Sequence, residues 1–395
     1  MRGTEDGRQV AVTGLGVVSA CGLGAEAFWQ GLLTRPADER VRPVPDWDPS
    51  PWFSGKDARH TDRFAQFAVA AAELALLDGR LRADEVDPEV AGIQVGTGIG
   101  GAATFEATVG VMLERGAKRI SPYSVPMIMP NAGAAAVSLR LGWQGPVETL
   151  TTACAAGTHS VAAGARLVAN GTCEVVLAGA ADASLIATTL GGFANAGAMS
   201  RSGISRPFDR DRDGLVAGEG AALLLLETLE HAQARGARVY AVIEGAASTA
   251  DAFHITAPSP RGRGALSCMR RALADAGRTP DDVAHVNAHG TSTPMNDAAE
   301  AQAVHALLGD RPVPVTSIKG VTGHAFGAAG ALEAAAVCLS FAHRTLPPTA
   351  GFVAPDDDTY VLDVVTQAST WEPGLTLSNS FGFGGHNGTL VFAPL

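Results

Sequence analysis

The chain has 395 residues, of which 46% are hydrophobic and 17% charged, with 47 glycines. That composition excludes a disordered chain, and the length exceeds one ordinary core, pointing to two packed units or one large duplicated α/β domain. A formal charge of -11 without any basic run carrying interleaved aromatics excludes nucleic acid as a partner.

The N-terminal residues 1–7 have no apolar stretch behind basic residues, and the later hydrophobic runs break before spanning length. A cytoplasmic protein with no signal peptide and no membrane segment is therefore expected. Residues 10–14 read as a buried strand running into a Gly-rich turn at 14–16, and residues 25–33 read as a helix. Short apolar strands are predicted at 91–95, 147–151, 174–178 and 221–226, with an Ala-rich helix at 160–168. After a helix at 227–235 the succession restarts with a strand at 239–244, a helix at 265–276, a strand at 285–287 and a helix at 298–308. A strand at 313–318 and a helix at 328–342 follow. The restart near Gly236 divides the chain into an N-terminal half, 1–236, and a C-terminal half, 237–395. No Pro/Gly/Ser-rich linker separates them, so an extensive shared interface is expected.

Five cysteines, Cys21, Cys154, Cys173, Cys268 and Cys338, lie far apart, with no C-x-x-C pair and no zinc spacing with histidine, so no metal site is expected. Cys154 stands apart, in Thr-Thr-Ala-Cys-Ala-Ala-Gly at a predicted strand-to-helix turn. A helix N-terminus offers unpaired N–H groups and positive potential, which favour a thiolate and stabilise an oxyanion. Two histidines occupy further strand-exit turns rich in glycine and hydroxyl residues: His289 in Asn-Ala-His-Gly-Thr-Ser-Thr and His324 in Lys-Gly-Val-Thr-Gly-His. A third segment, residues 381–388 with His386, is glycine-rich enough to bring backbone N–H groups close to a substrate. The chain has no phosphate-binding G-x-x-x-x-G-K-[ST], no G-x-S-x-G elbow and no H-E-x-x-H. The residues alone thus reach a cysteine acyl-transfer enzyme with paired histidines.

Five blocks carry a family resemblance: TACAAGTH around Cys154, SRPFDRDRDGLVAGEGAALLLLE at 205–227, NAHGTSTPMND around His289, KGVTGHAFGAAGALE around His324, and the closing SNSFGFGGHNGTLVF. In order and spacing the sequence resembles the elongating β-ketoacyl-acyl-carrier-protein synthases of type II fatty-acid and polyketide synthesis. The resemblance implies an α/β thiolase fold, two similar halves in a five-layered α-β-α-β-α arrangement. It also implies a decarboxylative Claisen condensation between an acyl chain on Cys154 and malonyl-carrier protein. No cofactor is expected, because substrates arrive on the phosphopantetheine of an acyl carrier protein. The partners implied are that carrier and a second subunit, in a homodimer or in a heterodimer with a Cys-less chain-length factor.

By the same resemblance His289 and His324 polarise the malonyl thioester, while Lys319 and Glu333 organise the site electrostatically. Backbone N–H groups of Cys154 and Phe383 form the oxyanion hole, Phe383 gates acyl entry, and the loop beginning at Asp251 faces it. Thr291 and Thr293 contact the pantetheine arm, and Phe105 lines the acyl pocket. Lys56, Arg59, Lys118, Arg119 and Arg201 are candidates for carrier docking. The alternatives are a thiolase-like coenzyme A enzyme, which uses a second cysteine where this chain has GFGGHN, and a non-catalytic chain-length-factor-like subunit, which lacks the nucleophile.

Overall fold

The computed structural model describes residues 8–34 and 41–395, so the N-terminal residues 1–7 read above lie outside the described residues. Its centre is a sheet whose first half runs Val147–Glu148, Ala91–Gly96, Val175–Asp182, Gly220–Thr228, Val10–Ser19. The second half runs Asp363–Val364, Pro314–Thr316, Val283–Asn287, Leu375–Gly382, His386–Ala393, Ala241–Ala250. In each half the outer strands pair in parallel and the last two contacts are antiparallel, so one pairing scheme is used twice. The halves join where Val10, Ala11 and Val12 pair antiparallel with Ile243, Val242 and Ala241.

Strands Val10–Ser19 and Val175–Asp182 are buried at every position, which is why they read as continuous apolar runs and not as alternating ones. Both faces are covered by helices. Arg63–Asp78 packs on the outer face of the first half and Arg263–Ala276 on that of the second. Between the halves lie Ala156–Ala169 and Ala329–His343, which pack on each other and on the sheet. The result is the expected α-β-α-β-α layering. One core cluster, holding Val161, Val168, Leu224, Leu332, Val337 and Leu390, draws on both halves.

Three sequence expectations are corrected. Residues 14–16 do not turn; the strand runs on to Ser19. A Cβ on Gly14 would sit 2.2 Å from the carbonyl oxygen of Ala75, and one on Gly16 1.7 Å from that of Ala71. These glycines therefore admit the backbone of helix Arg63–Asp78, itself capped by the Asp62 side chain accepting from the Phe64 N–H. The strand predicted at 147–151 covers only Val147–Glu148, and the chain runs on irregularly to the Cys154 turn. Finally, one stretch, Phe326–His343, does have the length and apolarity to cross a membrane; 89% of it is buried inside the fold, where it serves as a core helix.

Candidate active site

Cys154 is delivered by a strained turn. Ala153, just before it, has φ 51, a left-handed conformation that costs a residue with a Cβ about 1 kcal/mol or more. The chain then makes one 3-10 turn, Ala153–Ala155, and enters helix Ala156–Ala169. The thiol is buried at 9% exposure and faces a cavity of 280 Å³. Burial pushes it up to about 11; Lys319 opposes that shift, Asp182 adds to it, and the backbone N–H groups of Phe383 and of Cys154 itself favour the thiolate. Those two N–H groups are placed to hold an oxyanion formed on a carbonyl attached to this sulfur.

The hairpin Leu375–Gly382 against His386–Ala393 brings Phe383 there. Gly382 lies so close to the nucleophile turn that a Cβ would be 3.0 Å from the Thr152 oxygen and 3.1 Å from the Cys154 nitrogen. Gly384 and Gly385 follow with φ 83 and 75 and let the chain reverse into the last strand. Phe383, 37% exposed, borders the cavity, its ring 5.7 Å from that of Phe193. His159, one turn along the Cys154 helix, ties the two pieces together through Thr152 Oγ1 at 2.8 Å and the Asn387 carbonyl oxygen at 3.2 Å.

His289 and His324 line the same cavity, their rings 5.3 Å apart and nearly perpendicular at 85°. Burial holds both well below the usual histidine range, and the positive charge of Lys319 presses the same way on each. Both are therefore neutral near pH 7, a state in which each ring carries one N–H able to donate a hydrogen bond. Lys319 is fully buried, ion-paired with Glu333, and donates to the His289 carbonyl oxygen at 2.6 Å; its Nζ also lies 3.3 Å from His289 Nδ1. With Lys319 donating to Nδ1, the ring proton of His289 sits on Nε2. Glu333, pushed up to about 7 by burial against the pull of Lys319, accepts from Ser380 Oγ at 3.3 Å. The residues 319 and 333, separated by a turn of helix and a loop, thus meet beneath His289.

Thr291 and Thr293 border the cavity with hydroxyls 2.9 Å apart. Asp251 borders it too, accepting from the Ser259 N–H at 2.8 Å and Asn387 Nδ2 at 2.9 Å, while the Gly384 N–H reaches the Ile255 carbonyl at 2.7 Å. The 251–256 loop is thereby linked to the segment carrying Phe383. Sequence reasoning missed two carboxylates that shape this region. Glu300 accepts from the N–H groups of His289 and Gly290, both at 2.8 Å, and Asp297 accepts from Thr291 N at 2.9 Å and Ser292 N at 3.1 Å. Their spacing of three on helix Pro294–Leu308 was the available signal, since it puts both on one face of the helix that follows the histidine turn.

Not every expected residue converges here. Phe105 is 58% exposed, on helix Ala102–Arg115, which buries none of its residues, and it does not line the cavity of this chain. Within the single chain the helix carries it on the surface. Lys56, Arg59, Lys118, Arg119 and Arg201 are exposed and likewise stand outside the cavity lining.

Known proteins resemble the chain over nearly its whole length. Residues 45–232 match the model of the β-ketoacyl synthase N-terminal domain, and residues 240–353 that of the C-terminal domain. A 3-oxoacyl-[acyl-carrier-protein] synthase 2 from Synechocystis sp. is 40% identical, the alignment covering 98% of each chain. One from Coxiella burnetii is 38% identical with the same coverage. Among solved structures, the ishigamide ketosynthase/chain length factor superposes with TM-score 0.93 at 34% identity, covering 98% of this chain and 100% of that one. A type II polyketide synthase acyl-carrier protein in complex with its ketosynthase bound to the hexaketide gives TM-score 0.89 at 30% identity, with the same coverage.

Proposed function

The chain belongs to the β-ketoacyl synthase family, and from that premise we propose how its own residues carry out the condensation. It is an acyltransferase of the thiolase fold that makes β-ketoacyl thioesters in fatty-acid or polyketide synthesis. The observation that carries the reading is that Cys154, His289 and His324 share one cavity, with the N–H groups of Cys154 and Phe383 directed at the sulfur.

In the first half-reaction Cys154 Sγ attacks the thioester carbonyl of an acyl carrier protein. The oxyanion is held by the two N–H groups, the carrier sulfur leaves, and the proton lost by Cys154 ends on the departing thiol. In the second, a malonyl thioester enters, and neutral His289 and His324 donate hydrogen bonds to its thioester oxygen. The carboxylate leaves as CO2, its bonding electrons passing into the enolate so stabilised. The enolate carbon attacks the acyl carbonyl on Cys154; the C–S bond breaks with its electrons left on sulfur, releasing the β-ketoacyl thioester, and the Cys154 thiolate takes one proton from solvent to restore the thiol. Thr291 and Thr293 hydrogen-bond the pantetheine amides along this cavity, and Phe383 gates the acyl side. Supplying acyl-carrier protein and malonyl-carrier protein together should yield one CO2 per β-ketoacyl product by mass spectrometry. Malonyl turnover with no carbon–carbon bond formed would contradict the reading.

The chain also acts as one subunit of a pair. Helix Ala102–Arg115 fully buries none of its residues, and Phe105, Leu113, Val125 and Leu139 stand 58%, 76%, 67% and 86% exposed on helices Ala102–Arg115, Ser124–Ile128 and Ala132–Leu141, which pack in series up to the short outermost strand Val147–Glu148. Exposed large apolar side chains on neighbouring helices beside a sheet edge favour a protein partner. A second copy, or a Cys-less homologue as in a ketosynthase/chain-length-factor pair, covers it and turns Phe105 into a pocket wall. Light scattering should give a dimer for the wild type, or for its co-expressed pair, and a monomer for Phe105→Glu/Leu113→Glu. A double variant that still dimerises would place the contact elsewhere.

A further inference from the structure

Strand Val175–Asp182 ends in a carboxylate that the mechanism above does not use. Asp182 is fully buried. Its Oδ2 accepts from the N–H of Gly98 at 2.9 Å and from the N–H of Gly327 at 3.2 Å, and its Oδ1 accepts from Ser184 Oγ. Gly98 belongs to the loop leaving strand Ala91–Gly96, and Gly327 to the loop that carries His324. These loops touch through backbone alone: a Cβ on Gly327 would lie 2.1 Å from the Gly98 nitrogen. The same loop presses on the nucleophile helix, since a Cβ on Gly157 would lie 3.1 Å from the Gly327 oxygen. One carboxylate oxygen therefore joins two loops, one of which carries His324 and packs on the helix that carries Cys154.

The His324 loop depends on that junction. His324 Nδ1 has no hydrogen-bond partner among the described residues, so no side chain fixes the ring from behind. Its place rests on backbone pairing, with its N–H to Val216 O at 2.7 Å and its carbonyl to Gly218 N at 2.8 Å, and on the face of Phe326, whose ring centroid is 5.6 Å away. Phe326 itself is strained at φ 45, immediately before the Gly327 N–H that Asp182 holds. Its ring also lies 5.1 Å from Phe193, the neighbour of Phe383. A strained residue keeps its conformation only where its surroundings over-determine it. We infer that Asp182 is a positioning residue: by gripping Gly327 and Gly98 it holds the Phe326 ring, and through it the His324 imidazole, in register with Cys154.

This inference rests on the condensing-enzyme reading and specifies which step Asp182 serves. Decarboxylation, which uses His324, should suffer more than acylation, which uses Cys154 and its two N–H groups. Asp182 is also the negative charge that opposes the Cys154 thiolate, so removing it should ease deprotonation of that thiol. The test uses Asp182→Ala and the near-isosteric Asp182→Asn, the latter standing in if the alanine variant fails to fold. Three readouts are needed: Cys154 acylation by acyl-carrier protein, CO2 release from malonyl-carrier protein, and iodoacetamide alkylation of Cys154 against pH. The expected result is a fall in CO2 release on the order of tenfold to a hundredfold, the penalty for a small misplacement of a catalytic group. Acylation should stay within a few-fold, and the alkylation midpoint should move to lower pH. Equal losses in acylation and CO2 release with an unmoved alkylation curve, or undiminished CO2 release in both variants, would overturn it. A wild type that releases no CO2 would instead sink the condensing-enzyme reading, while the alkylation shift would still report on Asp182.

Discussion

Cys154→Ala folds, takes up no acyl mass from an acyl carrier protein, and loses condensation by on the order of a thousandfold or more. The fold survives because the residue packs among alanines, Ala153, Ala155 and Ala156, at the edge of the cavity and not in the interior of a core cluster. The chemistry does not survive because nothing else can replace the sulfur. Cys268 and Cys338 are buried outside the cavity lining, and Cys21 and Cys173 lie elsewhere. Burial also pushes the Cys21 thiol up to about 12 against the pull of Ser19 and Arg42, and the Cys173 thiol up to about 11, where Glu148 adds to the shift. A variant that still condenses at the wild-type rate would remove Cys154 from the mechanism altogether.

The second large effect falls on the histidines and discriminates between the two half-reactions. His289→Ala and His324→Ala should each lower malonyl decarboxylation by about 10² to 10³, the usual loss for one hydrogen-bond donor to a developing oxyanion. Acylation of Cys154 should fall far less, because the N–H groups of Cys154 and Phe383 remain. The pH dependence carries a definite sign. Both imidazoles are held well below 6.5, so lowering the pH from about 8 to about 6 leaves them neutral. The imidazoles should therefore contribute no pH dependence to decarboxylation by a fully acylated or Cys154-blocked enzyme over that interval, and an inflection near 7 would report on Glu333 instead. A rate that climbed steeply as pH fell through 6.5 would mean that the imidazolium form does the work.

How much of this was legible in the sequence depended on whether a residue's partner was local. The strands 91–95 and 174–178 announced themselves because burial on both faces leaves no polar alternation to obscure them. The turns around Cys154, His289 and His324 were legible because small and hydroxyl residues cluster where a chain leaves a strand and must stay close to a substrate. Gly14 and Gly16 misled, since glycine marks either a turn or a close approach, and only helix Arg63–Asp78, more than forty residues away, decides which. Phe105 could be placed only by the structure, which leaves it on the surface of the single chain. Asp182 was invisible because its long-range partners are backbone N–H groups, which every residue but proline carries and no sequence pattern flags. The Lys319–Glu333 pair came from resemblance; the structure then gave it a local meaning, a buried cation beneath His289 that keeps that ring neutral and favours the Cys154 thiolate.

The central claim is that Cys154 carries the acyl chain between the two half-reactions. Intact-protein mass spectrometry with peptide mapping, after incubation with an acyl carrier protein and again after malonyl-carrier protein is added, tests it most directly. The account predicts one acyl adduct, located on the peptide containing Cys154, which disappears as β-ketoacyl product forms. An adduct on any other residue, or a Cys154 adduct that persists unchanged while product accumulates, would contradict it.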